Sequence, residues 1–298
     1  GAEVVALLLD RKPTTCLALL GAGEQVTQVH GDLTDDGLLE RVLLSYGVET
    51  VIHLAAQALV GVASRGPVPT LEANIRGTWL LLEACRRTPT VAGVVVASSD
   101  KAYGPQPQLP YTEQAPLHGL GPYDASKVCT DVLTRMYATA FGLPAAVTRC
   151  ANIYGPGDLH RSRLIPELCR AVVAGRRPVI RSDGSPTRDY LYIDDAVSAY
   201  LQLAEAVERE EVRGQAFNFG TGREVSVLEL VQTMLRVAGV ELEPEVLGAA
   251  RGEIDRQVLD SSLARERLGW RPTVDLAEGL RRTLAWTRER DEISDGPT

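Results

Sequence analysis

Tyr123 and Lys127 stand four residues apart in the stretch "PYDASK" (122–127). On a helix, positions i and i+4 share a face, so the phenol and the ammonium project into one space. An ammonium beside a phenol favours the phenolate and lowers its pKa, which suits a base that takes a proton from a hydroxyl. By itself this spacing equally describes a tyrosine and a lysine on a helix surface. A second cluster sets it apart. "VVVASSDKAYG" (94–104) starts as an apolar run and breaks into Ser99, Asp100 and Lys101. A hydroxyl, a carboxylate and an amine at the end of a buried strand are equipped for proton transfer.

Such a set needs a scaffold that ends several strands in one place. "EVVALLLD" (3–10), "TVIHLAA" (50–56), "GVVVASS" (93–99) and "AAVTRCANIYG" (145–155) are short apolar runs rich in β-branched residues. Helix-like stretches separate them, among them "DDGLLERVLLSYG" and "ANIRGTWLLLEACRR". Strands alternating with helices at this spacing predict βαβ units and a parallel sheet covered on both faces. Sheets of that kind bind ligands at the carboxyl ends of their strands. Here those ends carry Asp10, His53, Ser98 to Asp100, and Arg149 to Asn152. After about residue 152 the chain becomes richer in Gly, Pro and Arg, and "SVLELVQTMLRVAG" and "DLAEGLRRTLAWTRER" read as amphipathic helices. A smaller second domain is expected there, packed closely on the first.

Composition narrows the function classes. With 298 residues the chain suits one large or two ordinary domains. Its net charge of −8 argues against non-specific nucleic-acid binding, which depends on basic surface. An anionic small ligand in a local basic pocket remains compatible. No apolar stretch reaches the roughly 18 residues of a membrane span, and the N-terminus has no signal-peptide layout. The five cysteines are scattered without a CxxC pair, and the four histidines show no metal-ligand spacing. Structural thiols, a reducing cytoplasm and no metal are the expectation.

The ordered motifs make the chain resemble the extended short-chain dehydrogenase/reductase family, the nucleotide-sugar epimerases and dehydratases. "VIHLAAQA", "LEANIRGTWLLLEAC", "SSDKAYG", "PYDASK", "TRCANIYGPGD", "TRDYLYIDD", "NFGTG" and "LGWRP" occur in the family's order. The resemblance implies a Rossmann-like doubly wound parallel sheet with a smaller α+β substrate domain. It divides the chain into an NAD-binding part at 1–151 and about 190–220, and a nucleotide-sugar-binding part at about 152–189 and 221–298. It also implies that Ser99, Tyr123 and Lys127 are catalytic. In the family's 4,6-dehydratases the two positions after the catalytic hydroxyl carry an acid and a base. Asp100 and Lys101 occupy them here, and Ser-Asp-Lys resembles the CDP-glucose enzymes more than the Asp-Glu of the dTDP-glucose type. On that pattern Tyr123 deprotonates the C4 hydroxyl, Lys101 removes the C5 proton and Asp100 protonates the departing C6 hydroxyl. The other use of Asp100 and Lys101 is simply to pair with each other or with solvent.

For NAD the resemblance implies Asp10 at the ribose, Asp32 and Leu33 near the adenine, and Leu54, Ala55 and Ala56 along the cofactor. Asn74, Tyr123 and Lys127 complete that set. An acidic residue at Asp10 favours NAD over NADP by repelling a 2′-phosphate, and Arg11 beside it weakens the preference. Asp32 equally suits a helix N-cap. For the nucleotide diphosphate sugar, Asn152, Arg188, Asn218 and Arg251 are the candidates, the arginines because a guanidinium fork matches phosphate oxygens. Arg251 lies in a charge-rich stretch that also reads as surface.

One part of the family pattern is missing. The usual strand, GxxGxxG turn and helix have no counterpart, and "LALLGAGEQV" (17–26) lacks the third glycine and reads as a loop. The chain therefore reads as starting at the second strand, which would leave an unpaired apolar edge and no pyrophosphate turn. Two rivals stand beside the dehydratase: a 4-epimerase, which needs no Asp100 or Lys101, and a truncated homologue that only binds a nucleotide sugar. A homodimer through the Tyr123 helix and its neighbour is the family's usual assembly.

Overall fold

The computed structural model describes residues 1–11, 15–35, 37–249 and 254–294. Its strands are, in chain order, β1 (Val5–Leu8), β2 (Thr27–His30), β3 (Thr50–His53), β4 (Gly93–Ala97), β5 (Ala145–Cys150) and β6 (Asn152–Tyr154). They continue as β7 (Val179–Ile180), β8 (Thr187–Arg188), β9 (Tyr190–Tyr192), β10 (Ala216–Phe219), β11 (Val225–Ser226) and β12 (Glu245–Val246).

The central sheet is parallel throughout, in the order β10-β5-β4-β3. Its register sets His53 beside Val96, Ala97 beside Thr148 and Cys150 beside Phe219, so neighbouring strands end at nearly one level. The all-apolar character of β4 follows from burial on both faces. Val95 points into a cluster with Ala146, Phe217, Leu203 and Trp270, under the helix Ile193–Ala206. Val94 and Val96 point the other way, towards Leu81, Leu82 and Tyr137 of the helices Gly77–Arg87 and Pro122–Phe141. Period-two alternation thus feeds two cores from one strand.

β1 and β2 form a separate two-stranded parallel sheet, and β3 has a partner on one side only among the described residues. Leu7 of β1 packs on the cluster that holds Val94 and Val96. The stretch expected as a loop at 17–26 contains short helical turns, Cys16–Leu19 and Ala22–Gln25, the first capped by the Thr15 hydroxyl.

A further core gathers Tyr154, Leu168, Tyr192, Leu230, Met234 and Leu280, contributed largely by the helices Leu164–Val173, Val227–Ala238 and Leu276–Ser294. Three short strand pairs, β6-β9, β8-β11 and β7-β12, frame it. Leu259, Ala264 and Trp270, which the sequence places with the substrate domain, pack instead in the cluster of the central sheet. The chain makes one more visit to the central sheet than its motifs suggest, because Trp270 donates its indole N–H to Asp195 O at 3.1 Å and stacks edge-on against Phe219.

Candidate active site

β4 ends at Ala97, and the next four residues change character within one turn. The Ser98 hydroxyl donates to the backbone carbonyl of Lys127 at 3.0 Å, tying the strand end to the helix Pro122–Phe141. Ser99 caps the 3₁₀ turn Asp100–Tyr103, its hydroxyl accepting from Lys101 N at 3.2 Å and donating to Asp100 Oδ1 at 3.1 Å. Gly104 ends the turn at φ +63, against the His118 carbonyl, where a Cβ would collide.

Asp100 is buried, at 3% exposure, and its Oδ2 is the one buried side-chain polar atom without a hydrogen-bond partner among the described residues. Burial raises its carboxyl pKa, against the pull of the Lys101 ammonium, the Ser99 bond and the Arg188 charge. Burial thus shifts this carboxyl towards its protonated form, and Oδ2 is the oxygen without another hydrogen bond.

Tyr123 hydrogen-bonds to Ser99 and senses the Asp100 and Asp124 carboxylates. Its phenol is pushed up to about 12, chiefly by burial, where the spacing to Lys127 leads one to expect a lowered value. The reason lies in the direction of the lysine. Lys127 Nζ donates to the Ala97 carbonyl at 2.7 Å, and its own burial brings its pKa down to about 8. Lys101 Nζ donates to Gln257 Oε1 at 2.6 Å, and Asp124, in the first turn of the Tyr123 helix, also senses the Lys101 charge. The structure thus brings Ser99, Asp100, Lys101, Tyr123 and Lys127 together at one strand end.

The remaining expected contacts divide. Asp10 and Asp32 are exposed just beyond β1 and β2, and Leu54 and Ala55 are exposed beyond β3, with Ala56 half-buried. Asp32 caps no helix. Its Oδ1 accepts from Thr34 N and Thr34 Oγ1 in a local turn, which lowers its pKa. Leu33 packs over Gly77, where a Cβ would strike its side chain. Asn74 is a correction. Its amide is consumed within the fold, accepting from Gln57 N at 2.7 Å and donating to Gln57 O and Ser126 Oγ, so it fixes the 54–57 loop from beneath.

Asn218 is a second correction. It is fully buried, accepts from Tyr103 Oη at 2.7 Å and donates to Tyr111 O and Asp260 O. Those bonds use its amide inside the protein and leave it none for a sugar. Asn152 is half-buried and bound through its backbone and its amide to Asp189 O. Arg188 lies close enough to Asp100 to act on its charge. Arg251 lies outside the described residues.

Asp10 and Asp32 stand at the ends of neighbouring parallel strands, the position at which such sheets meet a dinucleotide. No group of His, Cys, Asp and Glu with metal-ligand geometry occurs among the described residues. Two polar residues went unread in the sequence. Asp124 lies inside "PYDASK" and was open to notice, whereas Gln257 comes from a charge-rich segment with no local pattern.

Known proteins are similar to this chain in sequence and fold. The profile of the GDP-mannose 4,6 dehydratase family matches residues 17–283. The UDP-glucose 4-epimerase of Mycolicibacterium smegmatis is 35% identical over 266 residues, 89% of this chain and 83% of that one. A dTDP-glucose 4,6-dehydratase of Streptomyces griseus is also 35% identical, over 80% of this chain and 72% of its own. The solved dTDP-glucose 4,6-dehydratase of Streptomyces venezuelae, a double mutant with NAD bound, superposes with a TM-score of 0.85 at 31% identity, covering 98% of this chain and 89% of that one.

Proposed function

The chain belongs to the GDP-mannose 4,6-dehydratase family of NAD-dependent epimerases and dehydratases, and from that premise we propose that it is a nucleotide-sugar 4,6-dehydratase. The observation that carries this reading is Asp100, a buried carboxyl with a raised pKa and an unpartnered oxygen at the strand end. Water loss needs a group that holds a proton at neutral pH and gives it to a departing hydroxyl. A 4-epimerase returns the hydride to C4, loses no water and has no task for such a group.

Asp10, Tyr123 and Lys127 would hold NAD⁺, which when bound would supply the hydride acceptor for C4 and the hydride donor for C6. Tyr123, hydrogen-bonded to Ser99, takes the proton of the C4 hydroxyl. The positive charge of the oxidised cofactor would favour its phenolate against the effect of burial. The ketone at C4 acidifies the C5 proton, which Lys101 removes as Asp100 protonates the C6 hydroxyl, so one water leaves. The proton held by Lys101 returns to C5 as C6 receives its hydride, and the product is a 4-keto-6-deoxy sugar. Arg188 and Arg251 supply the guanidinium groups for the diphosphate, and Asn152 faces the sugar.

The substrate class is a nucleotide diphosphate glucose. The order Ser99-Asp100-Lys101 supports CDP-glucose within that class. Five free thiols suit a reducing cytoplasm. Exposed Trp79, Val132 and Met136 on two neighbouring helices support a homodimer. The test is mass spectrometry of CDP-, dTDP-, UDP- and GDP-sugars incubated with the protein and NAD⁺. Loss of one water from one member is the expected result. Unchanged mass with shifted retention would establish the epimerase instead, and no change in any member would leave a binding protein.

A further inference from the structure

We infer that Gln257 is a positioning residue for Lys101, holding the amine in place through a neutral contact that lets it release its proton. The inference rests on the dehydratase reading, in which Lys101 is the base at C5.

Gln257 is fully buried, and its carboxamide spans the catalytic turn. Oε1 accepts from Lys101 Nζ at 2.6 Å, while Nε2 donates to the Asp100 carbonyl at 3.0 Å. One amide therefore fixes the side chain of the base and the backbone of the acid together. The segment that carries it is stitched on both flanks. Gln257 N donates to Thr187 O, Thr187 N donates to Asp255 O, and Tyr111 N donates to Val258 O. Arg256 forms a two-pronged pair with Glu224, which also accepts from Thr187 Oγ1. The amide is thus presented by a segment bridged to β8 at Thr187, next to Arg188.

Its neutrality matters because the surroundings of Lys101 are already acidic. Asp100 on its own turn and Asp124 on the Tyr123 helix both face it, with the Tyr123 phenol beyond them and Arg188 as the opposing charge. Either group, when ionised, stabilises the ammonium and so opposes base chemistry. A carboxamide accepts a hydrogen bond from an amine or an ammonium alike, so it keeps the nitrogen in place in both states. A glutamate in the same position would put a negative charge against the amine where the carboxamide puts none.

The test compares the full chain, Gln257→Glu, Gln257→Asn and Lys101→Met, each with NAD⁺ and whichever of CDP-, dTDP- and UDP-glucose the unaltered protein dehydrates. The readouts are kcat against pH, KM, and deuterium uptake at C5 from heavy water. Gln257→Glu is expected to move the ascending limb of the kcat profile up by about one pH unit, cutting turnover at neutral pH by about tenfold with KM little changed. Gln257→Asn, whose amide stops short of the amine, is expected to slow C5 exchange without moving that limb. If both variants fold and keep the original profile and exchange rate, Gln257 is a packing residue and the inference falls. A Lys101→Met protein that still dehydrates would instead overturn the base assignment, and with it the premise.

Discussion

A buried carboxyl short of one hydrogen bond costs stability, and Asp100 is kept in that state. Burial raises its pKa, so the folded protein resists losing this proton more than the unfolded chain does. Its contribution to stability is fully present below the unfolded carboxylate range and is lost as pH rises through the folded value. Asp100→Asn removes the charge while preserving the shape. Water loss is expected to fall by about 10²–10⁴, the usual worth of a general acid. Tm is expected to rise by ~2–4 °C at neutral pH, corresponding to about 1 kcal/mol, with the gain shrinking on acidification. Product mass spectrometry and calorimetry across pH check the two arms. At this scale the chemistry was legible where it lay in contiguous motifs. Ser99 to Lys101 and Tyr123 to Lys127 could be read because a strand end and an i,i+4 spacing are local facts. Asn218 and Asn74 were misread because an amide's partners are tertiary. Nothing in "NFGTG" reveals that Tyr103 and Tyr111 wait beside it.

Elements are held in place by a second polar knot, behind the reacting groups. Arg149 on β5 and Asp131 on the helix Pro122–Phe141 are both buried and meet through two bonds, at 2.7 and 3.0 Å. Arg149 also donates to Tyr103 Oη at 2.8 Å and to Glu113 O at 3.1 Å, and lies over the Tyr103 ring. Strand, helix and the end of the catalytic turn therefore converge on one guanidinium. Asp131→Asn strands that charge in the interior and is expected to cost ~3–5 kcal/mol. The double variant Asp131→Asn with Arg149→Met is expected to cost less than Asp131→Asn alone, because no unpaired charge remains. Chemical denaturation of both single variants and the double one measures the coupling. The helices themselves were readable from their apolar spacing and caps. "SVLELVQTMLRVAG" became Val227–Ala238, with Ser226 accepting from Glu229 N at 3.0 Å. The ion pair was not readable, since an Asp in a helix and an Arg in a strand carry no sign that they face each other.

For the molecule as a whole, the sequence conveyed an alternation of strands and helices but not how often the chain visits the central sheet. The return of 259–270 to the central sheet depends on Trp270 finding Asp195 and Phe219, contacts far apart in the chain. Assembly belongs to this scale too. Val132 and Met136 are one turn apart on the Tyr123 helix and are 54% and 39% exposed, an apolar face without a covering element among the described residues. The double substitution Val132→Glu with Met136→Glu is expected to convert a dimer to a monomer in light scattering, raising Kd by about 100-fold or more. A dimer that survives it must use another surface.

β4 has no free face: its valines are committed alternately to two cores. A substitution along the strand therefore disturbs one core or the other, whereas Ser98 to Lys101, just past Ala97, belong to neither apolar cluster. There a lineage can exchange one residue pair for another while the scaffold stays unaltered. A fold built this way invites diversification of reaction without diversification of architecture, and the same sheet can descend into enzymes that invert a sugar or dehydrate it.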